Sequence, residues 1–101
     1  MVDLSKVDGF EWDDSNRAKN WEKHQVATAE CEEVFFNLPL LLAHDTRHSQ
    51  DEKQFYGLGQ TNAGRHLFIA FTMRTDKIRV ISARDMNDKE RQAYAKTNPS
   101  I

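Results

Sequence analysis

The residues best suited to chemistry are cationic and lie toward the C-terminal end of the 101-residue chain: Arg65, Arg74, Lys77 and Arg79. Thr75-Asp76 reads as a tight connection between two strands. That hairpin would set Arg74 opposite Lys77, Thr72 opposite Arg79 and Ala70 opposite Ile81. Residues paired across a hairpin share a face of the sheet. One face then carries Leu67, Ile69, Phe71, Met73, Ile78 and Val80, which is a core side. The other carries His66, Phe68, Thr72, Arg74, Lys77 and Arg79. A cluster of two arginines and a lysine has no obvious folding purpose there, and an arginine's planar fork fits phosphate oxygens bidentately. The competing reading is an ordinary solvated face of an open antiparallel sheet.

The charge distribution agrees with an anion-binding face. Net charge is −2, but residues 1–60 hold six Lys and Arg against twelve Asp and Glu, and residues 61–101 hold eight against four. Segregation of this kind marks a local field rather than a generic nucleic-acid binder. Other constellations fail. His44, Asp45 and His48 have a spacing that suits a helix, yet the region reads as strand and loop, so no metal site is expected. Ser49 and Ser82 lack a Gly-x-Ser-x-Gly context. There is no glycine-rich phosphate loop. The single cysteine, Cys31, excludes an internal disulfide or a cysteine zinc site and reads as a small core residue. No apolar run approaches the roughly 20 residues of a membrane helix. The N-terminus lacks a secretory pattern, and a reducing cytoplasm is expected.

The elements that must position these residues fit one domain over residues 1–101, with an ordered core of about 9–96. Gly9–Trp12 alternates as a short strand. Asp13 can cap a helix over Asp14–His24, with Asn16, Asn20, Lys23 and His24 on one polar face and few apolar residues beyond Ala18 and Trp21. A second helix is predicted over Thr28–Asn37, with Cys31, Val34, Phe35 and Leu38 as its buried stripe. The period then changes to two. Strands are predicted over Leu40–Thr46, Lys53–Gln60, Arg65–Arg74 and Lys77–Arg84, with a loop at His48–Asp51 and a turn at Thr61–Gly64. Asn87 and Glu90 match a capping box that opens a last helix to about Lys96. The fold class is α+β: two N-terminal helices on a four-stranded antiparallel sheet, with a short N-terminal strand and a short C-terminal helix. Arg84 falls on the core-facing parity near a strand end and reads as a structural ion pair.

Several strings resemble one known family. Phe10-Glu11-Trp12-Asp13 opening a helix and Asn20-x-x-Lys23-His24 are the first two. Val34-Phe35, Glu52, Gly57-x-Gly59, Gly64-Arg65-x-Leu67 and Thr72-x-Arg74 follow. The specific one is Ile78-Arg79-Val80-Ile81-Ser82-Ala83-Arg84, with Glu90-Arg91 and Tyr94 after it. Together they resemble the BrnT toxins over about residues 9–94. The resemblance implies a RelE-like fold and a ribonuclease toxin of a type II toxin–antitoxin system. It also implies a cognate BrnA-like ribbon-helix-helix antitoxin, an RNA substrate, and contact with operator DNA only through the antitoxin.

RNA cleavage without a metal or cofactor needs a base for the 2′-hydroxyl, cations on the phosphorane, and an acid for the 5′-oxygen. The resemblance points to Lys23, His24, Glu52 and Arg79 as catalytic residues and to Arg65, Arg74 and Lys77 as RNA phosphate binders. Each has a plainer alternative: a helix C-terminal cap for His24, a solvated lysine for Lys23, loop solvation for Glu52. Gln54 departs from the family, which tends to hold arginine there, and removes one fixed charge. A second reading is therefore a non-catalytic protein- or RNA-binding module that kept the fold; Phe68 is its clearest stacking aromatic.

Overall fold

The computed structural model describes residues 7–45, 54–74 and 76–97. In chain order they form β1 (Gly9–Glu11), α1 (Asp14–His24), α2 (Thr28–Phe36), β2 (Leu41–Asp45), β3 (Gln54–Gln60), β4 (His66–Arg74), β5 (Lys77–Asp85) and α3 (Asp88–Thr97). The α+β class holds, but the sheet differs from the four antiparallel strands expected. It has five strands in the order β1-β5-β4-β3-β2, and β1 lies parallel to β5. Three residues of β1 are too few to announce a partner in the sequence. Pairing them along β5 puts Gly9 beside Lys77, Phe10 beside Ile78 and Glu11 beside Arg79.

Alternation then decides what each face does. On one face Leu67, Ile69, Phe71, Ile78 and Val80 are buried and meet Val26, Cys31 and Val34 from α2 and its approach. Aromatic side chains extend this core, with Phe35 edge-on to Phe71 at 5.1 Å and Phe55 stacked on Phe71 at 5.7 Å. α2 lies close on β3: a Cβ at Gly59 would sit 2.6 Å from Val34 Cγ1, so only glycine fits there. Cys31 is buried as expected, and burial pushes its thiol up to about 12. Leu38, by contrast, is not part of the buried stripe and is 84% exposed. The helix stops at Phe36 and Asn37 is already extended, so the helical spacing that placed Leu38 inward no longer applies.

α1 is the surface helix its composition implies, with Trp21 57% exposed. Its inward side is nevertheless polar. Asn20 is buried, and its Oδ1 accepts the Ala83 N–H at 3.1 Å, a strand-edge donor that β1 is too short to pair. Asp13 caps the helix by accepting from Ser15 N–H at 2.8 Å, and Asn87 and Glu90 cap α3 reciprocally.

The last hairpin follows the expected register from Arg74–Lys77 through Thr72–Arg79, then departs from it. Ala70 pairs with Ser82 rather than Ile81, because a β-bulge between Ala70 and Phe71 adds one residue to β5. The parity of everything beyond is inverted. Ala83 becomes core, and Arg84 moves from the predicted core side to the opposite face, across from Phe68. The expected ion pair is present all the same, as a bidentate contact from Arg84 to Glu90 at 2.8 and 2.9 Å.

Candidate functional site

The sheet face opposite the core is divided. Its far end is covered by α3, which buries Tyr94 and, just before the helix, Met86 against Leu58, with Leu41 and Phe68 packed beside them. The Tyr94 hydroxyl fixes the helix by donating to the Pro39 carbonyl at 2.7 Å. The near end carries Arg74, Lys77 and Arg79, none of them in the core.

Arg79 is central to that end. It lies within β5, between Thr72 on β4 and Glu11 on β1. Its guanidinium donates to Asp13 Oδ2 at 3.1 Å and is 24% exposed. Asp13 therefore has two tasks. It caps α1, and it holds Arg79 against the sheet; the Ser15 and Asn16 N–H groups, with Arg79, keep its carboxyl below the ordinary carboxylate range. The strip was expected to lie away from the first two helices. Its face is the expected one, but the N-terminus of α1 reaches it through this contact. Arg74 lies 3.9 Å from Glu11 and Lys77 3.7 Å from Asp8, so residues 8–13 bring an acidic neighbour to each of the three cations. Gln54, Thr72, Arg79 and Glu11 form one cross-strand row, in which Thr72 is 3% exposed and its hydroxyl has no partner among the described residues.

Arg65 lies elsewhere and is differently occupied. Its Nε and Nη2 donate to Asp85 at 2.7 and 3.1 Å. Nη1 donates to the Gln25 carbonyl at 2.9 Å and to Glu30 at 3.1 Å, and Nη2 also reaches the His24 carbonyl at 3.1 Å. Both ends of the guanidinium are spent tying the end of α1, the start of α2 and the end of β5 together. The Asp85 hydrogen bond, ahead of a smaller one from Glu30, raises its pKa further, and the same contact lowers that of Asp85. Lys23 and His24 end α1 on the Arg65 side. With eleven residues in α1 and a rise of about 1.5 Å each, they stand roughly 16 Å from the Asp13–Arg79 contact. Arg74, Lys77 and Arg79 are thus brought together, and Lys23, His24 and Arg65 form a second group. Glu52 lies outside the described residues, as does His48, while His44 is on β2.

Asp8, Glu11 and Asp13 were missed as site residues. Asp13 gave a capping signal only, and the proximity of Asp8 and Glu11 depends on the β1–β5 pairing.

A family model described as the ribonuclease toxin BrnT of type II toxin–antitoxin systems matches residues 12–90. The chain belongs to the BrnT family. The match includes Asp13, the cationic strip and the Arg84–Glu90 pair, and stops short of most of α3. Among solved structures, the Brucella abortus ribonuclease toxin BrnT is similar to it with a TM-score of 0.57 and 18% identity, covering 79% of this chain and 97% of that one. At that identity the likeness concerns the fold. A search of curated proteins finds no match. As a BrnT-family chain it is a ribonuclease toxin of a type II system. No helix among the described residues is long and apolar enough to cross a membrane.

Proposed function

We propose that this toxin is an endoribonuclease that cleaves RNA without a metal ion or cofactor, using Arg79 to stabilise the phosphorane. The observation that carries the reading is the placement of Arg79: mid-strand, on a face that α3 leaves open, and oriented by Asp13 at 3.1 Å. A guanidinium held on a strand is preorganised for developing charge, which is what electrostatic catalysis requires. Arg74 and Lys77 would hold neighbouring phosphates. Lys23 and His24, at the other end of α1, would meet the same RNA at a different point. Arg65 is assigned to the scaffold here, because its donors face protein acceptors. Glu52 stays in the proposal as a base or as a partner to an arginine.

On the RelE-like reading of the fold, a BrnA-like ribbon-helix-helix antitoxin would neutralise the toxin in the cytoplasm and carry the complex to operator DNA. A second reading, a non-catalytic protein- or RNA-binding module, is favoured by one observation: each strip cation has an acidic neighbour from residues 8–13. One experiment separates the two. Pure protein incubated with RNA in excess EDTA should produce 2′,3′-cyclic phosphate ends. Cleavage lost in EDTA and restored by Mg²⁺ refutes the metal-independent mechanism, and no cleavage under any condition favours the module.

A further inference from the structure

Between the sheet and α3 there is an open depression that the cleavage chemistry does not use. Tyr56, Phe68 and Arg84 line it from three adjacent strands, and Lys89 and Ala93 line it from α3. The three sheet side chains are arranged as successive flat layers. Tyr56 stacks on Phe68 with centroids 5.7 Å apart and planes inclined by 23°. The Arg84 guanidinium lies over the Phe68 ring at 4.2 Å. Glu90 grips both terminal nitrogens of Arg84, so this layer cannot rotate away. The depression has a volume of about 350 Å³, room for one planar ring system.

We propose that the Tyr56–Phe68–Arg84 shelf is a subsite that stacks one unpaired nucleobase of single-stranded RNA. The proposal rests on the reading of the chain as an RNA-cleaving toxin. Every base has a π-face, so aromatic and guanidinium planes accept bases with little regard to sequence. Leu41, Leu58 and Ala93 line the depression beside the stack, Glu90 answers the Arg84 charge, and Lys89 stands at the rim, a combination that fits a flat base joined to a phosphate. The shelf shares its face with Arg79. Along β4, Phe68 is four residues from Thr72, the neighbour of Arg79, which at about 3.4 Å per residue separates shelf and phosphate site by roughly 14 Å. The shelf therefore takes a base that flanks the cleaved bond, not one at it. Lys89 has no partner among the described residues and stands beside the shelf for that nucleotide's phosphate.

The test uses a short single-stranded RNA with 2′-O-methyl groups throughout, which binds without being cleaved. Its addition to wild-type protein should shift the ring protons of Tyr56 and Phe68 in NMR spectra. Tyr56→Leu should weaken binding of this probe by about 5- to 100-fold, the value of one stacked base, and Tyr56→Trp should restore it. Removing one base from the probe should abolish the difference between Tyr56→Leu and wild type. With cleavable RNA the loss should appear in KM rather than kcat, since the contact is the same in ground and transition states. Unshifted rings overturn the shelf, as does a folded Tyr56→Leu variant with unchanged affinity and KM, or rings that respond to the antitoxin and not to the oligonucleotide. Tyr56-dependent binding without any cleavage would instead refute the ribonuclease reading and leave the shelf standing.

Discussion

Replacing Arg65 by alanine tests whether this arginine is scaffold or phosphate binder. The guanidinium joins two carboxylates and two helix-terminal carbonyls: Asp85, Glu30, His24 O and Gln25 O. An exposed ion pair contributes about 0–1 kcal/mol, whereas removing one partner of a buried pair costs about 3–5 kcal/mol. The Arg65 side chain is 27% exposed and Asp85 54%, so solvent screens part of the network. A loss of about 2–3 kcal/mol is expected, between those limits. For a domain of this size that lowers Tm by about 10–20 °C. Arg65→Lys should recover less than half, because one ammonium cannot reach both carboxylates and the carbonyls at once. Urea and thermal unfolding followed by circular dichroism measure the loss, and RNA cleavage assayed well below the variant's Tm measures the rest. Activity per folded molecule should stay within a few-fold of wild type. Stability unchanged within about 0.5 kcal/mol, together with cleavage reduced a hundredfold, would refute the reasoning and return Arg65 to the phosphate site.

Arg79→Ala should fold and lose cleavage by about 10²–10³ in rate, by analogy with the loss of one oxyanion-hole donor, and Arg79→Lys should recover only part; full activity in the alanine variant removes it from the site. Acid should destabilise the wild type in a defined window. Asp85 is lowered by its hydrogen bond to Arg65, and Glu90 is lowered because Arg84 and the Asn87 N–H outweigh its burial. Groups depressed on folding stabilise the native state above their ordinary values of about 4 and lose that contribution as pH falls through and below them. Urea midpoints from these groups should thus be level from pH 6 to 8 and drop below about pH 4, and the Arg65→Ala deficit should narrow over the same acid range.

Much of the fold was legible because its signals are local. The Asp13 cap, the Asn87–Glu90 box, the inward Cys31 and Val34, and the change to period two each depend on a few neighbouring residues. The face of Arg74, Lys77 and Arg79 followed from one hairpin register. What escaped is non-local. The bulge at Ile81 inverted Arg84, and nothing in the Ile-Ser-Ala-Arg string marks an extra residue. A three-residue strand gave no hint of lying parallel to β5, so the acidic neighbours of the strip were invisible. The polar side of α1 was read as solvent-facing, although Asn20 is buried, because a strand-edge N–H supplied a partner that apolar periodicity does not register. The candidate site was legible as residue types and not as a constellation: the helix rise alone sets Lys23 and His24 far from Arg79 once Asp13 is seen to touch it.

The parallel pairing of β1 with β5 also bears on biosynthesis. Strand β1 is made before the other strands, and its partner residues Lys77, Ile78 and Arg79 follow only after β2, β3 and β4. At about 5–20 residues per second, translation leaves an interval of several seconds in which Asp13 has been synthesised and Arg79 has not. Closure of β1 onto β5 is a high-contact-order step, and such steps come late because the chain entropy of the large loop must be overcome first. The nascent chain therefore holds β1 unpaired until β5 has been made. The contact between Asp13 and Arg79 forms only when the sheet closes onto β1.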